Sequence, residues 1–152
     1  MTTASQTEIT VRPLAEDELS SAAEIEALCF SEPWSERSLL SSYNSGHTVF
    51  YGAFCGGAAA GYAVMTSVCE EGEIVRIAVC PDRRRLGAAS ALMRALDKEA
   101  VSRGVKKLRL EVRAGNRAAL SLYEKSGFYP VGVRRGYYSS PKEDAVLLDK
   151  DL

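Results

Sequence analysis

Apolar positions recur along this chain with two periods, and the switches between them lay out an order of elements. Ile9, Val11 and Leu14 alternate around Thr10 and Arg12 as a first strand, which Pro13 ends. Over residues 16–30 the period lengthens. Leu19, Ala22, Ala23, Ile25, Leu28 and Cys29 recur at threes and fours, and Glu16, Asp17, Glu18, Glu24 and Glu26 are expected on the wet face. Ser35 is placed to cap a short helix over residues 36–43, with Trp34 before the cap poised to pack on Leu39. Residues 1–7 are polar and are expected to be loose.

Residues 48–55 and 58–68 are rich in β-branched, aromatic and small apolar residues around Gly56-Gly57, which reads as a hairpin. Residues 69–72 turn the chain again, into the stretch 73–94. Ile74, Val75, Ile77, Ala78 and Val79 form a nearly continuous apolar run, expected as a strand buried on both faces. Pro81-Asp82 breaks it, Arg83, Arg84, Arg85 and Gly87 follow, and a helix is predicted over residues 88–103 with Gly104 as its stop. Arginines before a helix N-terminus carry the wrong charge for its dipole, and a bound phosphate would neutralise both. A solvated basic turn is the plainer alternative.

Lys107, Arg109, Glu111 and Arg113 alternate strictly with Leu108, Leu110 and Val112, as a strand over 107–114. Asn116 can cap a helix ending near residue 126, before Gly127. A strand over 128–133, a polar and aromatic connection over 134–143, and a last strand over 144–148 complete the chain. Strands in runs plus one strand–helix–strand crossover predict an α/β (α+β) fold, a mixed sheet with helices on both faces, in one domain spanning residues 1–152. Ligands of such sheets lie where neighbouring strands diverge, beyond their carboxyl ends.

Composition narrows the function little. Apolar residues at 46%, charged residues at 26% and a net charge of −1 are ordinary for a globular protein and make no case for nucleic-acid or membrane partners. The four cysteines, Cys29, Cys55, Cys69 and Cys80, show no CxxC spacing, and His47 is the only histidine, so no metal is expected. Cys29, Cys55 and Cys80 sit in apolar runs and read as small core residues. The start MTTASQTE resembles no signal peptide, and no apolar run approaches the roughly 20 residues of a membrane span, so a cytoplasmic location is expected.

Several blocks, in order, carry a family resemblance. Arg84-Arg85-Leu86-Gly87-Ala88-Ala89 resembles the R/Q-x-x-G-x-G/A acetyl-CoA signature of the GNAT superfamily of N-acetyltransferases, with alanine in place of the second glycine. Leu110-Glu111-Val112-Arg113-Ala114-Gly115-Asn116, Leu122-Tyr123-Glu124-Lys125-Ser126-Gly127-Phe128 and Pro33-Trp34-Ser35 resemble the ribosomal-protein-alanine N-acetyltransferases (RimI type). So do Arg134-Arg135-Gly136-Tyr137-Tyr138 and Glu143-Asp144-Ala145. The resemblance implies the GNAT fold: a mostly antiparallel sheet of about seven strands with four helices, splayed between the strands that end near Cys80 and Arg113. It also implies acetyl transfer from acetyl-CoA, as cosubstrate, to the α-amino group of a protein N-terminus in a ternary complex.

An N-terminal amine, with a pKa of about 7.7–8.0, is largely protonated at pH 7 and needs a base. The resemblance assigns that role to Glu111, and assigns the acid that protonates the leaving thiolate to Tyr123. Read from the residues alone, Glu111 pairs equally well with Arg109 or Arg113, and Tyr123 serves equally well as a core tyrosine. The resemblance further implies that backbone N–H groups of Ile77, Ala78 and Val79 face the thioester and pantetheine. It implies that Arg84, Arg85, Leu86, Gly87, Ala88, Ala89 and Ser90 hold the pyrophosphate, and that Asn116 contacts CoA; read from the residues, Asn116 is equally an N-cap only, or both. Trp34, Tyr137 and Tyr138 would line an acceptor groove for a peptide N-terminus, an alanine-starting small-subunit ribosomal protein by family analogy. Acetylation of lysine side chains or a polyamine-type amine, and a non-catalytic acetyl-CoA sensor, are the competing readings.

Overall fold

The structure is a computed structural model and describes residues 8–152; the expected looseness of residues 1–7 falls outside them. The described residues form seven strands and four α-helices. The strands are β1 (Ile9–Pro13), β2 (Thr48–Cys55), β3 (Ala58–Val68), β4 (Glu71–Val79), β5 (Lys107–Arg113), β6 (Tyr129–Tyr138) and β7 (Glu143–Asp151). The helices are α1 (Leu19–Cys29), α2 (Glu36–Tyr43), α3 (Ala88–Ser102) and α4 (Arg117–Lys125). All strands join one sheet in the order β1-β2-β3-β4-β5-β7-β6. Only β4 and β5 run parallel, as the crossover through α3 requires.

Alternation along the strands divides the core in two. Ala63 and Met65 of β3, with Leu108, Leu110 and Val112 of β5, face Leu92, Met93, Leu96 and Ala100 of α3 and Tyr123 of α4. Tyr62 and Val64 of β3 face the other way, onto Leu19, Ala22 and Ile25 of α1 and Leu39 of α2. Each fully buried leucine or methionine in these layers contributes about 1.5–3 kcal/mol. Ser35 caps α2 as predicted, its Oγ accepting the Ser38 N–H at 3.1 Å. Trp34 lies at the margin of the cluster that buries Leu39. Among the described residues, no helix is long and apolar enough to cross a membrane.

The feature that makes the site is a splay. Parallel pairing of β4 with β5 holds only at Glu71↔Lys107, Gly72↔Leu108 and Glu73↔Arg109. Beyond that the strands part, because β4 bulges at Val75, between Val64↔Arg76 and Met65↔Ile74 in its pairing with β3. The expected burial of this strand on both faces is therefore corrected: Val75 and Ile77 are only half-buried, since past Glu73 no strand covers that edge.

Four further expectations are corrected. Glu26 is fully buried and Leu28 is 64% exposed, the reverse of the assigned faces. Seven residues are just under two helical turns, so Glu26 shares a face with Leu19, whereas Leu28 points away. The connection predicted over 134–143 is largely strand. β6 runs on to Tyr138, with a register shift between Arg134 and Tyr138 at Gly136, whose φ is +61°. As the sheet's edge strand it is mostly exposed, so no apolar period marks it. The last strand is likewise longer than predicted, and β4 begins at Glu71 rather than after Gly72.

Candidate active site

A cavity of about 840 Å³ opens in the splay. Its floor comes from β4 (Ile74, Val75, Arg76, Ile77) and β5 (Leu110, Glu111, Val112, Arg113). One wall is the segment between α1 and α2, including Phe30, Glu32 and Trp34; the other is the β6–β7 hairpin with Tyr137, Tyr138 and Ser139. Asn116 and Tyr123 complete the lining. Of the residues singled out in the sequence, Trp34, Ile77, Glu111, Asn116, Tyr123, Tyr137 and Tyr138 thus meet around one space. Ala78 and Val79 are buried at the end of β4, and residues 84–90 lie beyond them, outside this cavity.

Glu111 pairs with neither arginine of its own strand. Arg109 bonds Asp149 at 3.1 Å, and Arg113 reaches Glu143 at 3.3 Å and the carbonyls of Ser139 and Pro141. Asp149 sits directly opposite Arg109 on β7, and Glu143 lies diagonally across from Arg113, whose own opposite is Ala145, so both arginines find a cross-strand carboxylate. Glu111 instead has Arg134 Nη2 at 3.5 Å, from the hairpin wall. Its negative charge is the leading cause that pushes the Tyr137 hydroxyl above the usual tyrosine range.

Tyr123 projects from α4, the helix whose first turn Asn116 caps by accepting the Ala119 N–H at 3.1 Å. Leu120, one turn earlier, packs against the core, which turns Tyr123 inward, edge-on to Phe128 at 6.0 Å between ring centroids. Burial, then the neighbouring Tyr138, pushes its hydroxyl well above the usual range. At neutral pH it holds its proton. Tyr138 is raised too, by burial first and then by Glu111, and its ring carries the Arg113 guanidinium at 4.5 Å.

At the far end of β4 the chain makes a short 3-10 turn, Pro81–Arg83, and enters α3 through Gly87 at φ +87°. Gly87 offers no side-chain cap, so the first-turn N–H groups, which a helix leaves unpaired, stay open to an anion. Of the three arginines, Arg84 turns back toward the end of β4. Arg84 Nε donates to the Val79 carbonyl at 3.2 Å, which also accepts from Cys29 Sγ at 3.3 Å. Cys29 is therefore a half-buried cavity residue rather than a core one, and burial pushes its thiol up.

Sequence reasoning passed over Arg76, Phe30, Glu32 and Ser139. Arg76 had a signal, as the one charge inside an otherwise apolar strand run. Its Nη2 donates to Glu26 Oε1 at 3.1 Å, and its guanidinium packs on Phe30 and Trp34 at 4.1 and 4.4 Å. Glu26 also accepts the Trp34 N–H at 2.8 Å and the Tyr62 hydroxyl. Across the mouth, Ser139 Oγ donates to Glu32 Oε1 at 2.9 Å, joining the two walls. No pattern in the sequence pairs residues so far apart.

Comparison with known proteins adds the following. The profile of the Acetyltransferase (GNAT) family matches residues 19–128. The [ribosomal protein bS18]-alanine N-acetyltransferase of Escherichia coli K12 is 37% identical, over 91% of this chain and 95% of its own. The N-alpha-acetyltransferase RimI of Mycobacterium tuberculosis is 34% identical, over 98% of this chain and 96% of its own. The crystal structure of the Escherichia coli ribosomal-protein-S18-alanine N-acetyltransferase superposes with a TM-score of 0.87 at 35% identity, covering 95% of this chain and 94% of that one.

Proposed function

We propose, since this chain belongs to the acetyltransferase (GNAT) family and is an N-acetyltransferase, that it acetylates the α-amino group of a protein N-terminus. The acceptor we infer is an alanine-starting ribosomal protein of the small subunit, the substrate carried in the names of its relatives. Residues 1–152 act as one domain in this reading. The observation that carries it is the meeting of Glu111 and Tyr123 around one cavity, on a floor opened by the strand splay.

Acetyl-CoA, the cosubstrate, supplies the acyl group as a thioester. The residues present suit it. The uncapped start of α3 at Gly87, with Arg85 beside it, presents N–H groups and positive charge to a pyrophosphate through residues 85–90. The edge of β4 at Ile77, Ala78 and Val79 lacks a β5 partner and, apart from the Val79 carbonyl that Arg84 and Cys29 engage, is open to pair with an extended arm. Asn116 caps α4 and lines the cavity at once, which suits a CoA contact as well. Glu111 receives a proton from the incoming ammonium, and Arg134 beside it keeps the carboxylate oriented. Tyr123 keeps its proton at the inner end and donates it to the departing sulfur. Such proton transfers are worth about 10²–10⁴-fold each.

The lining favours a peptide over a small polyamine. Trp34, Phe30, Tyr137 and Tyr138 give it aromatic walls, and Arg76 and Arg113 balance Glu32 and Glu111, so the cavity is not a uniformly acidic pocket for a polycation. The test is CoA release from acetyl-CoA with short peptides varied at their first residue, each with a free or a blocked N-terminus, alongside lysine and spermidine. Turnover confined to free N-termini, best with alanine, is expected. Turnover with blocked lysine peptides or spermidine would move the acceptor to side chains or small amines.

A further inference from the structure

Glu32 stands at the mouth of the cavity, and its surroundings set it apart from the other charges of the lining. Those charges cancel in number, but contact by contact they do not. Arg76 pairs with Glu26 at 3.1 Å, Arg113 with Glu143 at 3.3 Å and Glu111 with Arg134 at 3.5 Å. Glu32 is exposed, and no ion pair among the described residues includes it. Its carboxylate bonds only the neutral Ser139 hydroxyl, 2.9 Å away on the opposite wall.

The backbone on both sides of this contact is held from behind. The Glu32 carbonyl accepts from Arg76 Nη2 at 3.4 Å, and the Ser139 carbonyl accepts from Arg113 Nη2 at 3.0 Å. The carboxylate is thus stationed between the walls before anything binds, which limits the freedom lost when it is used. A peptide with its amine at Glu111 leaves the cavity between these walls and passes it. The group that matches an accessible, unpaired carboxylate is a basic side chain, and a guanidinium does so through two parallel hydrogen bonds. We propose that Glu32 is a specificity-determining residue, which pairs with a lysine or arginine among the residues just after the first of the acceptor peptide. This rests on the N-terminal acceptor reading above and deepens it, because it names the class of peptide: one that is basic close to its start.

The experiment uses short alanine-starting peptides with one arginine at the second, third or fourth position. Each is compared with the same peptide carrying citrulline there, which keeps the shape and removes the charge. With the wild-type enzyme, citrulline should raise the acceptor KM by about fivefold at one of these positions, the upper end for an exposed ion pair, while the KM for acetyl-CoA stays constant. Glu32→Gln should give one KM for both members of that pair, and Glu32→Lys should favour citrulline over arginine. Equal KM values for arginine and citrulline at all three positions in the wild type overturn the proposal, and this comparison stands without either variant. A preference for arginine that Glu32→Gln keeps in full also overturns it, because another group would then read the cation. Either result leaves N-terminal acetylation intact. Turnover with spermidine or blocked lysine peptides, and none with free N-termini, overturns both.

Discussion

Glu26 and Arg76, fifty positions apart in the chain, meet at 3.1 Å beside the cavity wall, with the carboxylate wholly shielded from water. The pair ties α1 to β4 and, through the Trp34 N–H and ring, fixes the segment that walls the cavity. It belongs to both the core and the site.

Removing one partner of such a pair leaves an uncompensated charge in a poorly hydrated place. Glu26→Ala should destabilise the fold by about 3 kcal/mol, since it strips Arg76, Tyr62 and the Trp34 N–H of their common acceptor. Urea unfolding checks this: the midpoint should fall with little change in slope. A midpoint within error of the wild type would mean that the pair contributes nothing net.

Tyr123→Phe keeps the ring that packs edge-on to Phe128 and deletes only the hydroxyl. If that hydroxyl donates the proton to the leaving sulfur, kcat should fall by about 10² or more, with acetyl-CoA affinity little changed. An unchanged kcat ends the general-acid assignment.

Gly87→Glu forces a side chain onto backbone at φ +87° and sets a carboxylate where the pyrophosphate is expected. The strain costs about 1 kcal/mol, and charge competition should weaken acetyl-CoA binding by at least about tenfold. Isothermal titration separates the two when Gly87→Ala, which carries the strain without the charge, is run beside it. Equal affinities for Gly87→Ala and Gly87→Glu would put the anion elsewhere.

Glu18 shows how the first strand and helix are joined. Hydrogen bonds from Arg12, and then from the Ala15 N–H, hold its carboxyl down at about 2, against an ordinary 4.5. A depressed carboxyl adds stability that is complete above the ordinary value and is lost as pH falls toward the folded one. The wild type should therefore melt above Glu18→Gln at pH 7, and the gap should close between about pH 4.5 and 2. A gap that persists at pH 2 would contradict the ion-pair origin.

Local patterning along the chain specifies the succession of elements and most of their bounds. The predicted spans Glu36–Tyr43, Thr48–Cys55 and Ala58–Val68 are those observed, because period, cap and turn residue all act within a few positions of one another. The motifs around Glu111, Tyr123 and Gly87 were visible for the same reason. Which charges pair is set by packing between distant segments. Glu26 went inward because Arg76, Tyr62 and Trp34 converge on it from three other segments. Glu111 was left for Arg134 because Asp149 and Glu143, across the strands, took its neighbours. The β6 extension escaped detection because an exposed edge strand needs no apolar period. Hydrophobic periodicity is written locally, whereas partners for buried charge, and the splay that opens the cavity, depend on strand register between distant segments.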